Sequence, residues 1–459
     1  MGRLASKGDD ARRGGTMRKR KTALVALGAS LALVLAACGS SSKGGGSSTP
    51  SSGGSTSGGN SAGNNANAAQ GFSADSITIE GDVDKTSGSG QSEALAELGA
   101  QARFERANRE GGVNGRKIKY LGSADNKLDP SQDLPTVKKI VEQDKAFAIV
   151  PMVSPVLAAG GTYLVNNKVP FYGWGISPAF CNNDVGFGYT GCLVPSDPKD
   201  TVSTASAGLV EKLLGIKDGT GKTVALISED DVAGQFGIKV IEAAFVADHW
   251  KVTYSQSKLP STSPTTDFSP YAQAILTSNG GKAPDVMFHV TTVPNAEGLT
   301  KALTNSGFKG IQMNAVTYDP AFLEGAAGDN LDKEYVFIQY AAFEENTPAT
   351  QQMLKDVQAV KSSQKVLTQD IAIGYYSADI FLNDLKKAGK NLSRDGFLKV
   401  ANDGSTYNVA GGIGPVSYPA NHTASVPCGS LVQINGGKYE AKVPLTCFKN
   451  VPLSVLAGK

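Results

Sequence analysis

Histidine is scarce in this sequence, with three in 459 residues. His249, His289 and His422 stand on separate segments without metal-ligand spacing, so a histidine-based metal or acid-base centre finds no support. Cysteine is nearly as rare at five, and no C-x-x-C pair occurs, which removes zinc-ribbon readings. Charge of one sign is missing too: 44 Lys and Arg face 42 Asp and Glu, and no basic block follows the first residues, so nothing points to nucleic acid. Two motif-like stretches fail on context. Gly59-Asn60-Ser61-Ala62-Gly63 has the G-x-S-x-G spacing of serine hydrolases but lies in a tract with no strand or helix to strain it. Gly215 to Thr223 has five residues, not four, between Gly215 and Gly221, and it enters a strand rather than following one, unlike a phosphate-binding loop. The adjacent Asp230 and Asp231 read as a solvated turn. No enzyme and no cofactor is expected.

What is present begins at the N-terminus. Met17, an alternative start to Met1, opens Arg18-Lys19-Arg20-Lys21 followed by an apolar run from Thr22 to Ala37. That run is shorter than the ~20 residues of a membrane span and is interrupted by Gly28 and Ser30, so it reads as a signal h-region. Leu35-Ala36-Ala37-Cys38-Gly39 resembles the lipobox of bacterial lipoproteins, which implies removal of residues 1–37 and a diacylglyceryl group on Cys38. An ordinary signal peptide with an Ala-x-Ala site is the alternative. Two acyl chains suffice for stable anchoring. Residues 38–74 are mostly Gly, Ser, Asn, Ala and Thr, a flexible tether. The remaining chain, roughly 385 residues, is long for one core and suits two lobes. Beyond Cys38 stand Cys181, Cys192, Cys428 and Cys447. An even count in an oxidising compartment favours two disulfides, and local pairing is the simplest of three connectivities; four free buried thiols are the alternative.

From Ser76 onward β-rich runs alternate with helical stretches, which predicts parallel sheets covered on both faces. Nine strands are predicted: 77–79, 117–121, 147–153, 170–174, 223–228, 251–254, 285–290, 310–315 and 335–340. Helices are expected at 93–109 and 233–248, with period-3.6 stripes at Met353, Val357 and Val360 and at Ala378, Leu382 and Leu385. Ser154-Pro155, Ser177-Pro178, Val293-Pro294 and Asp319-Pro320 each follow a strand and precede a helical run. Proline suits a first helical turn, and Ser or Asp before it can cap free amides. In open α/β sheets such carboxyl ends line the ligand crevice.

Ala107-Asn108-Arg109-Glu110-Gly111-Gly112-Val113-Asn114-Gly115-Arg116-Lys117-Ile118 resembles a motif of the extracytoplasmic solute-binding proteins of branched-chain-amino-acid type ABC importers. The resemblance continues through Ala124 to Pro130 and Val137 to Asp144, and more loosely to about Tyr418. It implies a type I periplasmic-binding-protein fold: α/β, two doubly wound lobes joined by three crossovers with a ligand cleft between them. Lobe 1 is placed at about 75–194 plus 342–412, and lobe 2 at about 195–341 plus 413–450. Such proteins close on a small-molecule solute and hand it to a membrane permease. A surface sensor signalling through a membrane partner is the alternative role; a hydrolytic enzyme is a weaker one.

Position by position, Ser154, Gly175 and Ser177 fall where the family holds a ligand carboxylate. Trp174 beside them suits stacking on a ligand or a place in the core. On the other lobe Ala233 and Thr292 stand where aromatic residues are common, and Val316 stands where an acidic residue pairs with a ligand ammonium. Tyr318, Asp319 and Glu229 are the nearby substitutes. The expected ligand is an amino acid or, preferably, another small organic acid.

Overall fold

The computed structural model describes residues 70–458. The signal run, Cys38 and the tether up to residue 69 lie outside the described residues. At the start of what is described, Phe72 already packs edge-on against Phe147, with ring centroids 5.8 Å apart.

The first sheet is built from β1 (Ser76–Val83), β2 (Lys117–Asp125), β3 (Ala148–Val153), β4 (Phe171–Gly173) and β5 (Gly186–Gly188). Helices α1 (Leu95–Arg109), α2 (Pro130–Lys138) and α3 (Ala159–Asn166) link its strands. All pairings are parallel, in the order β2-β1-β3-β4-β5. A short β6 (Thr201–Ser203) and α4 (Ala205–Leu214) lead to the second sheet. There β7 (Thr223–Glu229), α5 (Val232–Ala247), β8 (Lys251–Leu259), α6 (Ser269–Leu276), β9 (Val286–Val290), α7 (Val293–Asn305), β10 (Ile311–Asn314), α8 (Gly325–Leu331) and β11 (Tyr335–Ile338) follow in turn. The chain returns to cover the first sheet with α9 (Pro348–Val360), α10 (Gln369–Ala388) and α11 (Arg394–Ala401), then forms the hairpin of β12 (Thr406–Val409) and β13 (Ile413–Ser417). It ends in β14 (Cys428–Ile434), β15 (Tyr439–Cys447) and β16 (Asn450–Pro452).

In the second sheet the parallel strands run β8-β7-β9-β10-β11, and β14 and β15 extend it as antiparallel strands. The parallel part therefore repeats the strand order of the first sheet. Strands such as β3 and β7 are buried along their whole length because helices cover both faces. The three passages between sheets are bridged to one another, Tyr340 with Ile413 and Gly191 with Ser425.

All nine predicted strands exist. The longest departure is β8, which runs to Leu259 instead of ending at Tyr254. The antiparallel C-terminal strands were not predicted; β15 carries Pro444 and mixes polar with apolar residues, which blurs any period. Both disulfides take the local pairing, Cys181 with Cys192 and Cys428 with Cys447. The second closes the β14–β15 hairpin in register. No helix among the described residues is long and apolar enough to cross a membrane.

The quoted family-like motif is structural. Gly111, Gly112 and Gly115 hold positive φ, and a Cβ on Gly112 would lie 2.2 Å from the Arg116 carbonyl. The Asn108 side chain clamps β2 by donating to the Ile118 carbonyl at 2.9 Å and accepting its amide at 2.8 Å.

The proline steps differ among themselves. Ser177 and Asp319 do accept the amides of Ala179 and Ala321 at the start of short 3-10 turns. At Val293-Pro294 the cap position is Thr292, whose hydroxyl is a donor, to Glu229. Ser154 caps nothing: no helix begins at Pro155, and α3 starts only at Ala159, where Asp133 of α2 accepts the Ala158 and Gly160 amides at 2.9 Å each.

Candidate functional site

The carboxyl ends of both parallel sheets face one cavity of about 140 Å³. Strand order reverses beside β1 in one sheet and beside β7 in the other, the switch points where α/β sheets leave a crevice. Asp84 follows β1, Trp174 follows β4, Asp231 follows β7, Thr291 and Thr292 follow β9, and Gln339 follows β11; all of them line the cavity. One face of α5 completes it. Ala233, Gly234, Gly237, Val240 and Ile241 recur at helical spacing, small residues first, and leave room that larger side chains would fill.

Most of the wall is apolar, including Ile176, Leu193, Phe288 and Phe337, and it contains no Lys, Arg or His among the described residues. Four carboxyls stand in it: Asp84 and Glu93 from the first lobe, Glu229 and Asp231 from the second. The second-lobe pair holds helices in place. Glu229 Oε1 accepts the Thr292 amide at 2.8 Å, the Thr292 hydroxyl at 2.6 Å and the Asn295 amide group. Asp231 caps α5 by accepting the Gly234 amide at 2.6 Å. Burial pushes Glu229 up to about 7, against the opposing pull of its Thr292 and Asn295 donors.

The first-lobe pair is differently placed. Asp84 and Glu93 bound one loop between β1 and α1, pinned where the Glu93 amide donates to the Asp84 carbonyl at 2.7 Å. Asp84 is 1% exposed and Glu93 7%, yet no protein donor reaches Asp84 Oδ2 or Glu93 Oε2. Burial, reinforced by Asp370 at the start of α10, drives both carboxyls well above the usual carboxylate range. From the same loop Gln91 reaches the opposite lobe, its Oε1 accepting the Val293 amide at 2.9 Å. That contact caps α7 and closes one side of the cavity.

Of the residues singled out from sequence, Trp174, Glu229, Ala233, Thr292 and Val316 line the cavity. Trp174 presents an indole Nε1 that no protein acceptor meets. Ser154, Gly175 and Ser177 sit beside lining residues but not among them. The Gly175 amide donates to Thr190 Oγ1 at 3.1 Å, and the Ser177 hydroxyl donates to the Leu157 carbonyl at 2.8 Å. Ser154 is buried next to Pro155.

Tyr318 and Asp319 lie elsewhere. Tyr439 of β15 accepts the Asp319 amide at 3.0 Å and donates to the Thr317 carbonyl, drawing this segment away from the cavity. Tyr318 instead stacks on Phe343 at 4.8 Å and donates to Glu344.

Asp84, Gln91, Glu93 and Gln339 were missed. The carboxyl-end rule applied to β1 would have marked Asp84, the first polar residue after that strand. Nothing local marks Glu93.

A family model described as periplasmic binding protein matches residues 78–438. No curated protein matches the chain. Among solved structures the chain is similar to a fatty acid ABC transporter substrate-binding protein from Thermomonospora curvata, at 17% identity and a TM-score of 0.64, over 83% of this chain and 94% of that one. It is also similar to the branched-chain amino acid transporter substrate binding protein from Streptococcus pneumoniae in complex with isoleucine, at 18% identity and 0.60, over 81% of this chain and 100% of that one. A solute binding protein from R. palustris in complex with benzoate aligns at 14% identity and 0.61, over 82% of this chain and 98% of that one.

Proposed function

The chain belongs to the periplasmic binding protein family, and from that premise we propose that it captures a small, largely apolar solute by closing two lobes and delivers it to an ABC importer. The observation that carries this is the apolar cavity at the carboxyl ends of both parallel sheets, with walls drawn from each lobe. At about 140 Å³ it resembles in size the ~150 Å³ cavity known to hold benzene, so the solute is the size of one ring or a branched alkyl group. Residues 75–194 with 342–412 form one jaw and 195–341 with 413–450 the other. Trp174, Glu229, Ala233, Thr292 and Val316 are its contacts among the residues singled out from sequence.

Cys38 anchors the protein outside the cytoplasmic membrane through its lipid, and residues 38–74 supply reach towards the permease. Mass spectrometry of protein purified from its native medium identifies the solute, and adding it at 100-fold its dissociation constant raises stability by roughly 2.7 kcal/mol. Absence of any co-purifying or stabilising small molecule removes the solute-binding reading. Unaltered uptake of the solute in a deletion strain removes the importer role and leaves sensing.

A further inference from the structure

We propose that the Asp84 and Glu93 side chains form a subsite for the cationic nitrogen of the ligand, an alkyl or aralkyl amine without a carboxylate. The inference rests on the solute-binding reading and specifies its ligand.

Three features of the cavity carry it. Asp84 Oδ2 and Glu93 Oε2 are buried acceptors with no protein donor, on residues that line the cavity. A buried carboxyl without a partner is costly, and hydrogen bonds to an ammonium would supply the missing donors at charge-assisted strength. The other two wall carboxyls are already occupied, Glu229 by Thr292 and Asn295 and Asp231 by Gly234. Lastly, no cationic side chain stands in the wall to receive a ligand carboxylate. The remainder of the wall, with Trp174 and the small-residue face of α5, suits an apolar body.

The charged surroundings are acidic on every side. Asp370 of α10 and Asp82 and Asp125 of the first sheet act on Asp84; Asp370 acts on Glu93, and Glu93 acts in turn on Tyr189. Lys85, next to Asp84 in sequence, is paired with Glu97 at 2.5 Å. An amine therefore binds the ionised carboxyls, and its arrival expels their protons. Affinity rises with pH, with proton release to the buffer.

The test is calorimetry at pH 8 with four probes on one branched body: isopentylamine, isopentanol, 4-methylpentanoate and leucine. Isopentylamine is expected to bind at least roughly tenfold more tightly than isopentanol. Glu93→Gln and Asp84→Asn remove that advantage while leaving isopentanol little changed. Both variants relieve a buried acid, so folding is retained. Tighter binding of 4-methylpentanoate or leucine, a native solute lacking a cationic nitrogen, or amine affinity indifferent to both substitutions overturns the subsite and leaves solute binding standing. No binding by any probe or by native extract overturns both.

Discussion

In the first lobe the strands run β2-β1-β3-β4-β5, and in the second the parallel strands repeat that pattern as β8-β7-β9-β10-β11. Each lobe brings two carboxyls to the shared cavity, one just beyond its first strand and one close by. The second lobe uses Glu229 and Asp231 to hold the N-termini of α7 and α5. The first leaves Asp84 Oδ2 and Glu93 Oε2 without donors. A common topology thus fixes where acidic groups stand but not what they do; that depends on whether a helix start or the cavity faces them.

The largest expected effect is of pH, and it sharpens the contrast. Burial raises Asp82 to about 7, and the folded state then holds a proton that the unfolded chain gives up near 4. The resulting stability is full below about pH 4 and is lost as pH rises through about 7, on the order of a few kcal/mol from this group. Glu80 on β1 and Asp370 on α10 are likewise raised to about 7, against Glu229 on β7, so hydrogen exchange at pH 6 and 8, corrected for intrinsic rates, is expected to show β1 and α10 loosening more than β7. Equal loosening would erase the difference between lobes.

Next in size, Glu229→Ala strips the acceptor from Thr292 and Asn295 and leaves buried donors unpaired, costing about 3 kcal/mol in chemical denaturation. Glu93→Gln, its counterpart in the first lobe, is expected to stabilise the ligand-free protein at pH 8 by about 1 kcal/mol, because a buried acid becomes a neutral amide and Oε2 has no donor to lose. Opposite signs for these two substitutions are the signature of the comparison. Smallest, Ser177→Ala removes a cap and a bond to Leu157 and costs about 1 kcal/mol or less, with ligand affinity unchanged in calorimetry.

Strands and major helices were legible because continuous apolar runs and helical stripes write burial directly into the chain: β3, β7 and the stripe of Met353 and Val357 are all interior. The site was legible only in part. Trp174, Ala233 and Thr292 follow strands and reach the cavity, yet Ser177, equally well placed in sequence, turns its hydroxyl to the Leu157 carbonyl. Asp319 follows the same rule and is carried away by Tyr439, which lies 120 residues further along.

The sequence by itself determined the α/β class, nine of the ten strands of the parallel sheets and the glycine turn before β2; β5 (Gly186–Gly188), only three residues long, escaped it. These are local matters: backbone conformation, side-chain period and short motifs decide them. Tertiary structure alone decided that Glu229 holds α7 while Glu93 Oε2 faces an apolar cavity without a donor. A carboxyl carries the same charge in both places, and only the donors brought to it from distant strands and helices separate a helix cap from a site for a ligand.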